Sequence, residues 1–294
     1  VKKKFIAITF LLLITFGMIG CGKNQVLKKE NVNETNQEQA TENKETAEEQ
    51  QENTNNDTEE QSQSQIDYIN IAPEEVKIPI LMYHSISDED PSNNLLVPPA
   101  MFEEQMAWLE ANNFTAMNMD EALEAMRTGK VPKRPVVITF DDGYANNYTS
   151  AFPSLKNHKL KATFFVITDG VDNGYYMSSD NLKEMQDAGM SIENHTANHL
   201  ELNNLSKTDA YESIKRAQDY LRNVIGSDGN YLCYPVGKYN DETIQIEEEL
   251  GIKAAVTTQG GFASINDGLH TLKRVRISPM SIEGFASIFS EYIN

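Results

Sequence analysis

Two adjacent carboxylates and two spaced imidazoles are the residues in this chain best suited to chemistry. Asp141 and Asp142 close the run Val136-Val137-Ile138-Thr139-Phe140, and Gly143 then breaks it. His195 and His199 stand four residues apart in Asn194-His195-Thr196-Ala197-Asn198-His199. Alone, Asp-Asp-Gly also fits a polar turn closing a strand, and His-x-x-x-His also fits a polar helix start. Together, Asp142, His195 and His199 supply two imidazoles and one carboxylate with coordination positions left over. That set suits a zinc hydrolase, or divalent iron or cobalt. A metal would hold Asp142 ionised and leave Asp141 to take a proton from water.

The elements that must position these groups follow from the hydrophobic pattern. An unbroken apolar run reads as a strand buried on both faces, as in a parallel sheet covered by helices. The acids at its C-terminal tip then lie where α/β folds place their sites. Strands are predicted over Ile78–His84, Val136–Asp141, Ala162–Ile167, Met190–Asn194, Tyr231–Tyr234, Ala254–Thr257 and Leu272–Ile277. Helical spacing runs over Pro99–Asn112, Met119–Thr128, Asn146–His158, Ser179–Ala188, Lys207–Ile225 and Asp241–Leu250, with Gly189, Gly226 and Gly251 as stops. About seven such α/β units predict a closed or nearly closed barrel, with an open doubly wound sheet as the alternative. The two histidines share one face if the chain turns helical after its strand. No glycine-rich phosphate loop follows a strand, so nucleotide binding is not expected.

Thr139-Phe140-Asp141-Asp142-Gly143 and His195-Thr196-Ala197-Asn198-His199, in this order, resemble the polysaccharide deacetylase domain (NodB homology, carbohydrate esterase family 4). Lys161-Ala162-Thr163-Phe164-Phe165-Val166 agrees with it, and the resemblance spans about Ile78 to Ile277. It implies a distorted (β/α)7-type barrel and metal-dependent removal of N- or O-acetyl groups from sugar polymers. It makes Asp141 the catalytic base and Asp142, His195 and His199 the ligands of a divalent metal, zinc foremost and cobalt the alternative. The family's Arg-x-Pro-x-Gly falls on Cys233-Tyr234-Pro235-Val236-Gly237, so Cys233 stands where relatives carry the arginine that steadies the base. Arg274 and Lys238 are the candidates to replace its charge. Tyr234, Pro235 and Val236 fall in the oxyanion and substrate-binding stretch, with the Val236 N–H as oxyanion donor.

The Tyr83-His84 pair resembles the circularly permuted poly-N-acetylglucosamine deacetylase branch, where an N-terminal strand supplies the general-acid histidine. By itself His84, at a strand tip, also fits a buried structural histidine. A cationic acid there would need an acidic neighbour, which the sequence does not name. His270 and His158 read as loop and surface residues. Tyr144, Tyr148, Tyr234 and Tyr239 are candidate sugar platforms, although aromatics flanking strands are more often packing residues.

The N-terminus adds a location. Lys2-Lys3-Lys4, the apolar run Phe5 to Ile19 and Gly20-Cys21 describe a signal peptide over 1–20, resembling a lipoprotein signal with Cys21 as the lipidated residue. An uncleaved membrane anchor is the alternative. Residues 21–65, rich in Gln, Asn, Glu and Thr, read as a disordered acidic linker, and 66–294 as the deacetylase domain. The formal charge of −19 argues against nucleic acid. The expected partners are a cell-wall or surface polysaccharide and, through the lipid, the outer face of a Gram-positive-type cell membrane. The function expected is N-deacetylation of an N-acetylglucosamine polymer of the envelope, peptidoglycan or poly-N-acetylglucosamine. A catalytically impaired wall-binding lipoprotein and an O-acetyl esterase are the alternatives.

Overall fold

The computed structural model describes residues 66–293. The expected signal peptide, Cys21 and the expected linker lie outside the described residues. Seven parallel strands form a closed barrel: β1 (Ile80–Tyr83), β2 (Pro135–Phe140), β3 (Thr163–Val166), β4 (Ser191–Asn194), β5 (Tyr231–Cys233), β6 (Ala254–Gly260) and β7 (Leu272–Arg276). Their order is β1-β7-β6-β5-β4-β3-β2, and pairing of β1 with β2 closes the ring. All seven overlap the strands expected from the sequence, and the closed ring excludes the open doubly wound sheet. A short strand, Thr115–Met117, adds to the first half of β2.

Helices α1 (Pro99–Ala111), α2 (Met119–Thr128), α3 (Phe152–Asn157), α4 (Ser179–Asp187), α5 (Lys207–Ile225), α6 (Asp241–Leu250) and α7 (Ile282–Ile288) accompany the barrel. Most termini follow from capping chemistry. Asn118, Ser178 and Asn240 cap α2, α4 and α6 through reciprocal side-chain bonds, and Gly129, Gly226 and Gly251 end α2, α5 and α6 in the left-handed conformation. One expected helix differs. The stretch from Asn146 to His158 opens as a π-helix, Asn147–Ala151, and becomes α-helical only from Phe152. Pro153 lacks the N–H that an uninterrupted α-helix would use there.

Alternation along the strands sorts the core. Leu81, Val136, Ile138, Phe140, Phe164 and Ile192 join the cluster packed with α1, α3 and α4. Ile80, Val137, Tyr231, Cys233, Val256 and Leu272 join a second cluster. Because successive side chains point to opposite faces, Thr139 and Asp141 share the face of Val137, and Arg274 shares that of Leu272. A buried polar group thus stands on the same side as the second cluster, near the C-terminal ends of the strands.

Candidate active site

The end of β2 carries both acids. Asp141 continues the ladder, its N–H donating to the Tyr83 carbonyl at 3.0 Å. The chain then turns, with Asp142 at φ 72° and Gly143 at φ 83°. A Cβ at Gly143 would stand 2.9 Å from Val166 Cγ1, so a side chain there would push against β3. The turn separates the two carboxylates into different surroundings.

Asp141 is buried and lies in the fork of Arg274. Nη1 donates to Oδ1 and Nη2 to Oδ2, each at 2.7 Å. Arg274 is 0% exposed. Its remaining donors reach the Thr257 carbonyl (2.9 Å), Thr139 Oγ1 (3.1 Å) and Cys233 Sγ (3.2 Å). A buried guanidinium is tolerated only when its charge and donors are matched, as here. Burial alone would raise the Asp141 pKa, but the charge and hydrogen bonds of Arg274 outweigh it and hold the carboxyl well below the usual range. Of the two candidates for the missing arginine, Arg274 takes the place. Lys238 does not: it is exposed, beyond the loop that follows β5.

Asp142 faces the two histidines. Its Oδ1 lies 3.2 Å from His195 Nε2 and 3.4 Å from His199 Nε2. Ligand atoms of all three residues fall within 4.8 Å of one another. His195 Nδ1–H donates to the Cys233 carbonyl at 2.7 Å, which keeps the proton on Nδ1 and leaves the Nε2 lone pair for a metal, the arrangement typical of a metal-ligating imidazole. This donor set fits a divalent metal of the zinc or cobalt kind. Burial pushes the Asp142 carboxyl up, but His195 beside it holds the pKa below its ordinary value.

The histidines do not meet through a helical turn. Residues 195–199 form a bend, with Thr196 at φ 65° and His199 at φ 56°. Asn194 Oδ1 accepts the Thr196 N–H at 2.7 Å and Thr196 Oγ1 the His199 N–H at 3.1 Å. These local side-chain acceptors replace helical hydrogen bonds and hold the rings 4.9 Å apart. His84, just beyond β1, places Nε2 3.9 Å from Asp141 Oδ2. Asn147 Nδ2 donates to the His84 carbonyl at 2.7 Å and fixes the strand end. Burial lowers the His84 pKa against the pull of Asp141 and Asp142, and Asp141 is the acidic neighbour that the sequence does not name.

After β5 the chain makes a single strained turn. Val236 sits at φ 56°, rare for a β-branched residue, and is 55% exposed. Its N–H has no hydrogen-bond partner among the described residues. Gly237, at φ 69°, is required: a Cβ would meet Thr258 Oγ1 at 2.1 Å. Tyr234 and Pro235 are buried. The Tyr234 hydroxyl donates to the His270 carbonyl at 2.8 Å and its ring stacks on Tyr239, so Tyr234 packs and offers no face to a sugar. Tyr148 likewise stacks on Phe152 and donates to Glu184. His270 is not a free loop residue, since its Nδ1 bonds the buried Glu247 at 2.6 Å. His158 is half-buried between Glu103 and Glu110.

A family model described as polysaccharide deacetylase matches residues 128–255. YxkH of Bacillus subtilis, a protein assigned to the polysaccharide deacetylases, is 40% identical over 218 residues, covering 74% of this chain and 76% of its own. The chain belongs to the polysaccharide deacetylase family. It is a hydrolase of carbon–nitrogen bonds, and its relatives agree. A Streptococcus pyogenes deacetylase, PplD, solved with acetate, superimposes with a TM-score of 0.71 at 36% identity over 73% of this chain and 99% of its own. A poly-beta-1,6-N-acetyl-D-glucosamine N-deacetylase of Staphylococcus epidermidis is 27% identical over 230 residues, 69% of this chain and 80% of its own. The family model stops short of both His84 and Arg274, the two groups that the first and last barrel strands bring to Asp141.

Proposed function

We propose that this deacetylase uses a divalent metal, zinc foremost and cobalt the alternative, to remove N-acetyl groups from an N-acetylglucosamine polymer of the cell envelope, either peptidoglycan or poly-N-acetylglucosamine. Lipidation of Cys21 would hold it at the outer face of the membrane beside that polymer. The observation that carries the catalytic reading is the two-point hydrogen bonding of Arg274 to Asp141. It restores the support lost at Cys233, and so argues against an impaired, purely wall-binding protein.

Asp142, His195 and His199 would hold the metal, which supplies Lewis acidity toward the acetyl carbonyl and toward water. Asp141, kept ionised and aimed by Arg274, takes the proton of the attacking water. The Val236 N–H, without a partner among the described residues, donates to the oxygen that becomes negative as the carbonyl carbon turns tetrahedral. His84, 3.9 Å from the same Asp141 carboxylate, relays that proton to the sugar nitrogen as the C–N bond breaks. Acetate and a free amine leave.

The test is acetate release by the zinc-loaded full chain from N-acetylglucosamine oligomers, poly-N-acetylglucosamine and isolated peptidoglycan, with acetylated xylan alongside. Release from an amide substrate is expected. Glycan binding without acetate would establish the impaired lipoprotein instead, and release from xylan alone an O-acetyl esterase.

A further inference from the structure

We propose that Tyr175 forms a glycan subsite beside the reaction centre, stacking on a pyranose ring of the polymer adjoining the unit that loses its acetyl group. This rests on the deacetylase reading above and adds that the enzyme recognises a chain rather than a single sugar.

Tyr175 is 66% exposed, the largest exposure among the large hydrophobic side chains described. Monomeric proteins leave single apolar residues on the surface without consequence, but this one is held at a particular place. Its N–H and that of Tyr176 both donate to Asn173 Oδ1, at 2.9 and 3.2 Å. Its carbonyl accepts the Ala145 N–H at 3.0 Å, Tyr144 and Tyr176 form a β-bridge, and the Met177 N–H donates to the Gly143 carbonyl at 2.9 Å. The loop is thereby fastened to residues 143–145, which directly follow Asp142.

Three rings make one platform. Tyr144 and Tyr176 stack at 5.5 Å and 14°. Tyr175 stands across both, at 5.4 and 5.1 Å and 86° to each. Tyr144 follows Asp142 by two residues and Tyr176 is bridged to Tyr144, so this pair is fastened to the segment that leaves the ligand cluster. Tyr175 is the outer member, and its exposure leaves at least one face open to solvent. A ring with two χ angles, braced by two neighbours, loses little freedom on contact and presents apolar area with a polar rim. The C–H face of a pyranose is the complement of that surface. Leu200, next to His199, and Val236, in the strained turn, are also exposed hydrophobics adjoining site residues.

The test compares wild-type enzyme with Tyr175→Ala and Tyr175→Trp on N-acetylglucosamine oligomers of two to six units, in β-1,4- and β-1,6-linked series, and on a small chromogenic acetyl ester. Wild-type kcat/KM should rise with length. Tyr175→Ala should raise KM for the hexamer by roughly five- to tenfold with kcat nearly unchanged, flatten the length dependence, and leave ester cleavage alone. Tyr175→Trp should keep the length dependence. An unchanged length dependence in Tyr175→Ala, or an equal loss on hexamer and ester, would overturn the proposal. If wild type releases no acetate, the deacetylase reading fails separately. Calorimetric titration of the hexamers into zinc-loaded protein then decides: weaker binding by Tyr175→Ala upholds the subsite, and equal or absent binding removes it.

Discussion

Arg274 supplies the charge that the family resemblance would place at the position of Cys233. Its guanidinium reaches Asp141 from β7 rather than from β5, and the thiol fills the space where a second cation would otherwise stand, 3.2 Å from Nη2. Restoring the family's residue should therefore do harm. Cys233→Arg would force two guanidinium groups into a site with 0% exposure at both positions, and its melting temperature should fall far below that of Cys233→Ser. Arg274→Met should leave Asp141 buried without its counter-charge, at a cost of about 3–5 kcal/mol. Urea unfolding reads this, and kcat for acetate release should fall about 10²–10⁴-fold. In the sequence, charge alone made Arg274 and Lys238 equal candidates. Strand alternation separates them, because Arg274 shares a face with Leu272 while Lys238 follows the end of β5 in a loop. The role of Tyr175 left a fainter signal: Asn173-Gly174 marks a turn, but nothing in the sequence says that the turn is tied to the segment after Asp142.

Among the elements, the turn after β5 has little freedom. Val236 and Gly237 both take positive φ, and Thr258 on β6 closes the space above Gly237. Gly237→Ala should destabilise by about 1–3 kcal/mol and lower kcat more than it raises KM, because the Val236 N–H moves with the turn; thermal melts and acetate kinetics measure the two effects. Most barrel strands were legible as apolar runs against the helical spacing between them, whereas Ser191–Asn194 and Leu272–Arg276 mix polar and apolar residues. The pieces that were not legible are short or locally determined. Tyr68–Asn70 and Lys130–Pro132 pair over three residues, too few for a period to show. The 195–199 bend depends on Asn194 and Thr196 side chains accepting backbone N–H groups, where the spacing of the histidines suggested a helix. The π-turn before α3 depends on where Pro153 falls in the register.

Across the molecule, the formal charge of −19 makes pH a sensitive variable, and one buried acid gives it a sign. Glu193 on β4 accepts from Ser191 Oγ at 2.8 Å and from the Tyr231 N–H at 3.1 Å. Burial pushes its pKa from 4.5 up to about 7. A carboxyl that titrates higher in the folded state contributes stability below its unfolded pKa, and that contribution is lost as pH rises through the folded value. Stability should fall between about pH 4.5 and 7 on this account, and Glu193→Gln should show a shallower fall in urea titrations across that range. The barrel's closure has a different consequence, one of timing. β1 lies between β2 and β7, pairing Leu81 with Ile138 on one side and with Val275 on the other. The first barrel strand synthesised therefore waits for the last, almost two hundred residues later, before its second edge is covered. Such distant partners slow folding and leave a strand edge open to wrong pairing in the meantime. His84 follows that first strand and Arg274 sits on the last, so Asp141 gains its arginine only when the ring is complete. A nascent chain released without β7 would hold Asp142, His195 and His199 but lack the Arg274 support of Asp141. Activity should therefore be the last property this protein acquires as it is made.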